Sequence, residues 1–396
     1  MKAGWQAKTL GETCQIARGG SPRPIQEFIT DDPNGVNWVK ISDATASGKF
    51  IYETKEKIKP SGVSRSRLVK PGDFLLSNSM SFGRPYIMQT TGCIHDGWLV
   101  LSGYEQCFDQ SFLYHLLGSP VVFEQFDRLA AGSTVRNLNI DLASRVSLPV
   151  PPLSEQHRIV AILDEAFDGI ATARANAEKN LQNARALFES HLQSVFTQRG
   201  EGWIERSIGD ICTLKSGTSV GVSLEKAKGE IPYVKVSDMT YAGNETEIVS
   251  SSRFLDMADV GKNAVFPAGT TIFPKRGGAI LTNKKRLTAL PICADLNIMG
   301  VIPSGNLHPR LLYYYFLNVD MRLIGSGSSI PQINNYDIAP LKISFPETQD
   351  EQEAILQILD NLSAETQRLE SLYQRKLAAL DALKQSLLHQ AFSGAL

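Results

Sequence analysis

The sequence predicts an α+β fold: two globules of mixed α/β structure separated by two long helices that form a coiled coil. Three observations predict it. The chain is duplicated, two segments keep heptad spacing without a proline, and the remainder is rich in Gly, Pro and short apolar runs. The duplication is read from four matched segments in the same order. Leu10–Ile16 reads against Ile208–Leu214, and Trp38–Asp43 against Tyr233–Asp238. Gly132–Val135 reads against Gly327–Ile330, and Glu155–Gln156 with Ala161–Asp164 against Glu351–Gln352 with Gln357–Asp360. The offsets are 198, 195, 195 and 196 residues. A period this long is a duplicated domain pair, not a solenoid unit.

The elements follow in order. Residues 1–150 form the first globule. Val36–Ser42, Asp73–Ser77 and Gly97–Leu101 are predicted strands, and Phe112–Leu129 has helical spacing. Residues 151–200 form the first long helix, opening at Ser154 after Pro151-Pro152 and stopping at Gly200. Residues 201–346 repeat the globule, with Pro309–Ile324 as the counterpart helix and Pro at its first position. Residues 347–396 form the second long helix. It opens at Thr348, in a capping box with Glu351, and stops at Gly394. Ile159, Leu163, Ala166, Ile170 and Ala173 open one seam; Ile355, Leu359, Leu362, Thr366 and Leu369 open the other, in alternating steps of four and three. Four alanines of the first seam stand where the second has Leu362, Leu369, Tyr373 and Leu380. A thin helix and a thick one fill space together better than either with itself, so the two are expected to pair within one chain. Centring an antiparallel register on the seam places Asn180 against Thr366.

Composition narrows the function. The chain has 396 residues, 42% hydrophobic and 20% charged, with 40 Lys+Arg against 41 Asp+Glu. No run approaches the 18 apolar residues of a membrane span and Met1–Gly20 holds no apolar leader, so the cytoplasm is the expected location and no membrane is involved. Five dispersed cysteines with no C-x-x-C pair favour neither disulfides nor zinc. No P-loop or H-E-x-x-H is present, and six scattered histidines make no cluster. The one G-x-S-x-G string, Gly217–Gly221, lacks a convincing helix after it and has no counterpart in the first half. No cofactor or metal is expected. Duplication without catalytic motifs favours binding over catalysis. The globules are slightly basic, with 16 basic against 14 acidic groups over residues 1–150 and 15 against 13 over 201–345.

Two places in each half carry suitable chemistry. After the predicted strand at 73–77 come Asn78, Ser79, Ser81 and Arg84; the second half has Lys275, Arg276, Asn283, Lys284, Lys285 and Arg286 in the same place. Lys and Arg neutralise phosphate, and Arg reads guanine through two hydrogen bonds. One scaffold with two different polar loops suits two modules with different targets. A solvated hairpin tip is the competing reading. The second place is a glycine turn after a helix, with Ser133, Thr134, Arg136 and Asn137 in one half and Ser328, Ser329, Gln332 and Asn334 in the other. Hydroxyls suit phosphate oxygens, and Asn and Gln suit adenine edges. A turn that packs the globule on the long helix is the competing reading.

The G-S-T-x-x-N-L pattern at Gly132–Leu138, the stretch Leu148–Gln156 leading into the long helix, and the repetition of both resemble the specificity subunits of type I restriction–modification systems. The resemblance runs from Leu10 to Phe392. The second copy departs from it: Ile330-Pro331-Gln332-Ile333 replaces Val-Arg-Asn-Leu, and Pro151-Pro152 has no counterpart. The resemblance implies two target recognition domains, each reading one half of a split double-stranded DNA sequence, and an antiparallel coiled coil between them. It implies methyltransferase (modification) subunits docked on the helices and restriction subunits joined to the complex, with no catalysis by this chain. The alternative from the residues alone is a coiled-coil adaptor whose globules bind protein.

Overall fold

The computed structural model describes residues 2, 4–78, 83–130, 138–198, 200–324 and 331–396, apart from the side chain of Lys262. The chain divides into two compact units, residues 1–178 with 375–396 and residues 179–374.

In the first unit, the central five-stranded sheet runs in the order Gln15–Arg18, Trp98–Ser102, Phe74–Ser77, Pro85–Met88, Phe50–Ile51. A second sheet runs Ile29–Thr30, Glu56–Ile58, Val36–Val39, Gly92–Ile94, Arg67–Val69. Gln6–Thr9 pairs antiparallel with Ser147–Val150. The second unit repeats the plan. Its central sheet is Cys212–Ser216, Ile298–Pro303, Thr271–Pro274, Arg286–Thr288, Glu247–Ile248, its second sheet has four strands, and Trp203–Ser207 pairs with Lys342–Pro346. The register matches between copies: Trp38 lies beside Cys93 in one and Tyr233 beside Cys293 in the other, both in parallel pairs.

Three expected elements need adjusting. The strand expected over 36–42 ends at Val39, because the Asp43 carboxylate accepts from the Lys40 backbone N–H at 2.9 Å and starts the helix Ile41–Ser47. The helix expected over 112–129 is two, Gln110–Leu117 and Pro120–Ala130, divided at Gly118-Ser119, where the proline opens the second. Its counterpart Pro309–Asn318 likewise stops early, and Asp320 caps a short 3-10 turn after it.

The long helices are Leu153–Thr197 and Gln349–Ser393. Glu351 N donates to the Thr348 hydroxyl at 3.4 Å, one half of the expected capping box, and that hydroxyl donates to the Glu351 carboxylate at 2.6 Å. In the first unit Arg174 pairs with Asp381 at 2.5 Å; in the second Arg185 pairs with Glu370 at 2.7 Å. Within the first unit Lys384 lies over the Phe167 ring, so stepping up from Phe167 to Arg174 steps back from Lys384 to Asp381, and the two helical segments run antiparallel. The register differs from the one expected from the seam: Asn180 is exposed while Thr366 is buried. The helix ends explain the difference. In the first unit Leu388, Ala391 and Phe392 enter a core with Ile159, Leu163, Phe112 and Leu116. In the second, Phe188, Leu192, Val195 and Phe196 join Leu311, Phe316, Leu356 and Leu359. Each core is therefore completed by the tail of the other long helix, and burial of large apolar side chains there outweighs a polar pair in mid-helix.

Candidate nucleic-acid interface

In the second unit the strand Thr271–Pro274 delivers Lys275, Arg276 and the 3-10 turn Gly277–Thr282. Gly277 stands at φ +65 and Asn283 at φ 52, left-handed conformations that Gly and Asn adopt most readily. The turn carrying Gln332 and Asn334 is tied directly to this loop. Ile333 N donates to Lys275 O at 2.9 Å, and Gly277 N to Pro331 O at 2.8 Å. Arg276 and Gln332 form an isolated antiparallel bridge. The first unit has the same tie, from Leu138 N to Asn78 O at 2.8 Å. Two stretches about 60 residues apart in sequence are thus joined in each copy.

The side chains divide into those held by the fold and those presented. Asn78 is 2% exposed, and its amide donates to Asp96 O at 2.8 Å. Arg84 is exposed, its guanidinium 5.4 Å over the Tyr86 ring. Before it, Gly83 at φ +79 leaves no room for a Cβ, which would meet Phe126 at 2.7 Å. Lys275 is buried and donates to the Ser216 hydroxyl at 2.7 Å; burial lowers its pKa. Lys285 is 2% exposed. Its ammonium donates to Val319 O at 2.6 Å and to Asn283 Oδ1 at 2.7 Å, and burial pushes its pKa down to about 8. Arg286 donates to the carbonyls of Asn244, Lys285 and Met239. Lys275, Lys285 and Arg286 therefore brace the loop from within. Arg276 is exposed and Lys284 half-buried, and these two cations are presented. Gln332 donates to the Asn334 side chain at 2.7 Å, and Asn334 donates to the Tyr336 hydroxyl at 2.9 Å. Ser79, Ser81, Ser133, Thr134, Arg136, Asn137, Ser328 and Ser329 lie outside the described residues.

Two side chains beside this surface escaped the sequence reading. Tyr336 is 69% exposed and Leu281 63% exposed. Asn334-Asn335 next to Tyr336, and Gly277-Gly278 shortly before Leu281, were the available signals: a large side chain beside a turn has little core to enter. The G-x-S-x-G string forms no nucleophile elbow. After the strand Cys212–Ser216 comes only the three-residue 3-10 turn Val222–Leu224, and Gly217 packs on the carbonyls of Ala294 and Asp295.

Two copies of one sheet module, each with a polar loop and turn tied together, define a protein with a duplicated binding head. It belongs to the type I restriction–modification DNA specificity family, whose domain matches residues 2–181 and 200–377, and is a DNA target-recognition subunit of that kind. The chain is 22% identical over 370 residues to the type I restriction enzyme MjaIX specificity subunit of Methanocaldococcus jannaschii, covering 86% of this chain and 83% of that one. It is 32% identical over 159 residues to a putative type I specificity subunit of Haemophilus influenzae, 37% of each chain. Its fold is that of a solved chain reported under complex assembly and conformational transition of the type I R-M system, with TM-score 0.84, 20% identity, and 100% and 99% of the two chains covered. It is also similar to the HsdS subunit from Thermoanaerobacter tengcongensis, with TM-score 0.63, 21% identity, and 100% and 98% covered. Among the described residues no helix is long and apolar enough to cross a membrane.

Proposed function

We propose that the chain reads a bipartite DNA target, one half per globule, and directs modification and restriction subunits to it while catalysing nothing itself. The observation that carries this reading is the tie between loop and turn, Leu138 N to Asn78 O in one copy and Ile333 N to Lys275 O in the other. The shared scaffold holds the polar segments at one place, while the side chains on them differ between copies. Arg84 in the first copy, and Arg276, Lys284, Gln332 and Asn334 in the second, are the described residues assigned to DNA. Ser79, Ser81, Ser133, Thr134, Arg136, Asn137, Ser328 and Ser329 belong to the same assignment by their place in sequence. Asn78, Lys275, Asn283, Lys285 and Arg286 support it from beneath. Arg276 and Lys284 suit phosphates or guanine, and the amides suit adenine. Helices of 45 residues, about 67 Å long, form a spacer between reading heads, and their exposed faces are where methyltransferase subunits dock. The test is to purify the chain with a methyltransferase partner and measure retention of duplex DNA. Sequence-dependent retention is expected. Retention that ignores sequence, or none, contradicts the reading.

A further inference from the structure

The first unit contains a cleft of about 1300 Å³. Pro22, Pro24, Ile25, Ile29 and Trp38 supply apolar walls, and Glu56, Asp96, His95, Lys40 and Arg23 supply polar groups. The cleft adjoins the polar loop of this copy. Asn78 donates its amide to Asp96 O at 2.8 Å and its backbone N–H to Gly97 O at 3.0 Å.

The cations in the cleft already face carboxylates. Lys40 is bonded to Glu56, and Arg23 lies 3.4 Å from Asp96. A phosphate would have to displace those partners and would meet two negative charges. An uncharged planar group with amino hydrogens fits better: apolar walls take its faces, and carboxylate oxygens with unused lone pairs take its N–H groups. Asp96 accepts from the Ser21 hydroxyl at 2.9 Å, a bond that lowers its pKa and keeps it ionised. His95 accepts the Gly97 N–H on Nδ1 at 2.8 Å, which leaves Nε2–H as a donor in the neutral ring.

The second copy is an internal control. There Tyr233 replaces Trp38, and its hydroxyl donates to Thr218 O at 3.1 Å and lies 3.3 Å from Asp295 Oδ2. Asp295, which stands where the first copy has His95, also accepts from Asn297. Glu225 is bound by both Lys235 at 2.6 Å and Arg253 at 3.2 Å. Leu296 stands where the first copy has Asp96, so the second copy lacks the carboxylate that the first copy places in its cleft.

We propose that this cleft is a base-reading pocket of the first globule, taking the amino-bearing edge of an adenine or cytosine of the first half-site against Asp96 and Glu56. The inference rests on the reading of the chain as a DNA-recognition subunit. Its test uses the full chain in complex with its methyltransferase partner. Asp96→Asn and Glu56→Gln each replace an acceptor-only group by an amide. Gln26→Trp, at an exposed cleft position, fills the space from the surface. Affinity for the cognate duplex and the methylated motif are measured beside the unaltered complex. About tenfold weaker binding is expected, with relaxed preference at one A or C position of the first half-site and an unchanged second half. Wild-type affinity and motif in all three variants, with unaltered melting, overturns the pocket while DNA reading stands. An unaltered complex with no sequence preference overturns both.

Discussion

Gln156 holds Asp109: the buried side-chain oxygen of Gln156 accepts the Asp109 backbone N–H at 2.8 Å, and its amide donates to Cys107 O at 2.8 Å and Pro151 O at 2.9 Å. Gln352 does the same for His308 N, Asn306 O and Pro346 O. One glutamine near the start of each long helix thus fastens it to its own globule. Gln156→Ala leaves one buried backbone group, Pro151 O, and two partly buried ones, Asp109 N and Cys107 O, without this partner. Each unmet group costs about 1–3 kcal/mol before relaxation, so a loss of ~3 kcal/mol is expected in denaturant unfolding. Gln156→Glu should recover little, because a carboxylate accepts from Asp109 but cannot donate to two carbonyls.

The basic loop should separate by role. Arg276→Ala and Lys284→Ala should weaken DNA binding and reduce the salt slope by about one for each phosphate no longer neutralised, with melting nearly unchanged. Lys285→Ala should instead lower stability by ~2 kcal/mol, since Val319 O loses a buried donor. Salt titrations and melting curves on the three variants check this. Equal loss of DNA binding and intact stability for Lys285→Ala would contradict the division.

Acid should loosen the first unit. His115 is 8% exposed and bonded to Asp164 at 2.9 Å; burial lowers its pKa from 6.5, against the opposing pull of Asp164. His95 is lowered too, by burial. The unfolded chain therefore takes up more protons than the folded one as pH falls below 6.5. Stability is fully present above that value and declines through the folded pKa. The melting temperature should drop between pH 7.5 and 5.5, and His115→Gln should flatten that drop. A slope unchanged by the substitution would place the titration elsewhere.

The duplication, the capping box at Thr348 and the heptad seams were legible because they depend on local order and spacing. Register was not. It depends on Leu388 and Phe392 entering one core and Leu192 and Phe196 the other, packing made across most of the chain length. The two polar stretches singled out in the second half do meet, Ile333 on Lys275 and Gln332 beside Arg276. The roles of individual cations were not: Lys284 and Lys285 are neighbours in sequence, yet one is presented and the other buried. Both lie in the turn before the strand Arg286–Thr288, where no regular period fixes which side chain points inward, and only the packed fold shows it. The cleft beside Asp96 left no mark in sequence, because its walls come from segments 21–29, 38–42, 56 and 95–96.

The central claim is that each globule reads its own half of the target. Exchanging residues 201–346 for those of a relative, then mapping the methylated motif in the host genome, tests it most directly. One half of the motif should change to the relative's while the other half stays the same. A swap that alters both halves, or neither, would contradict two separate reading heads.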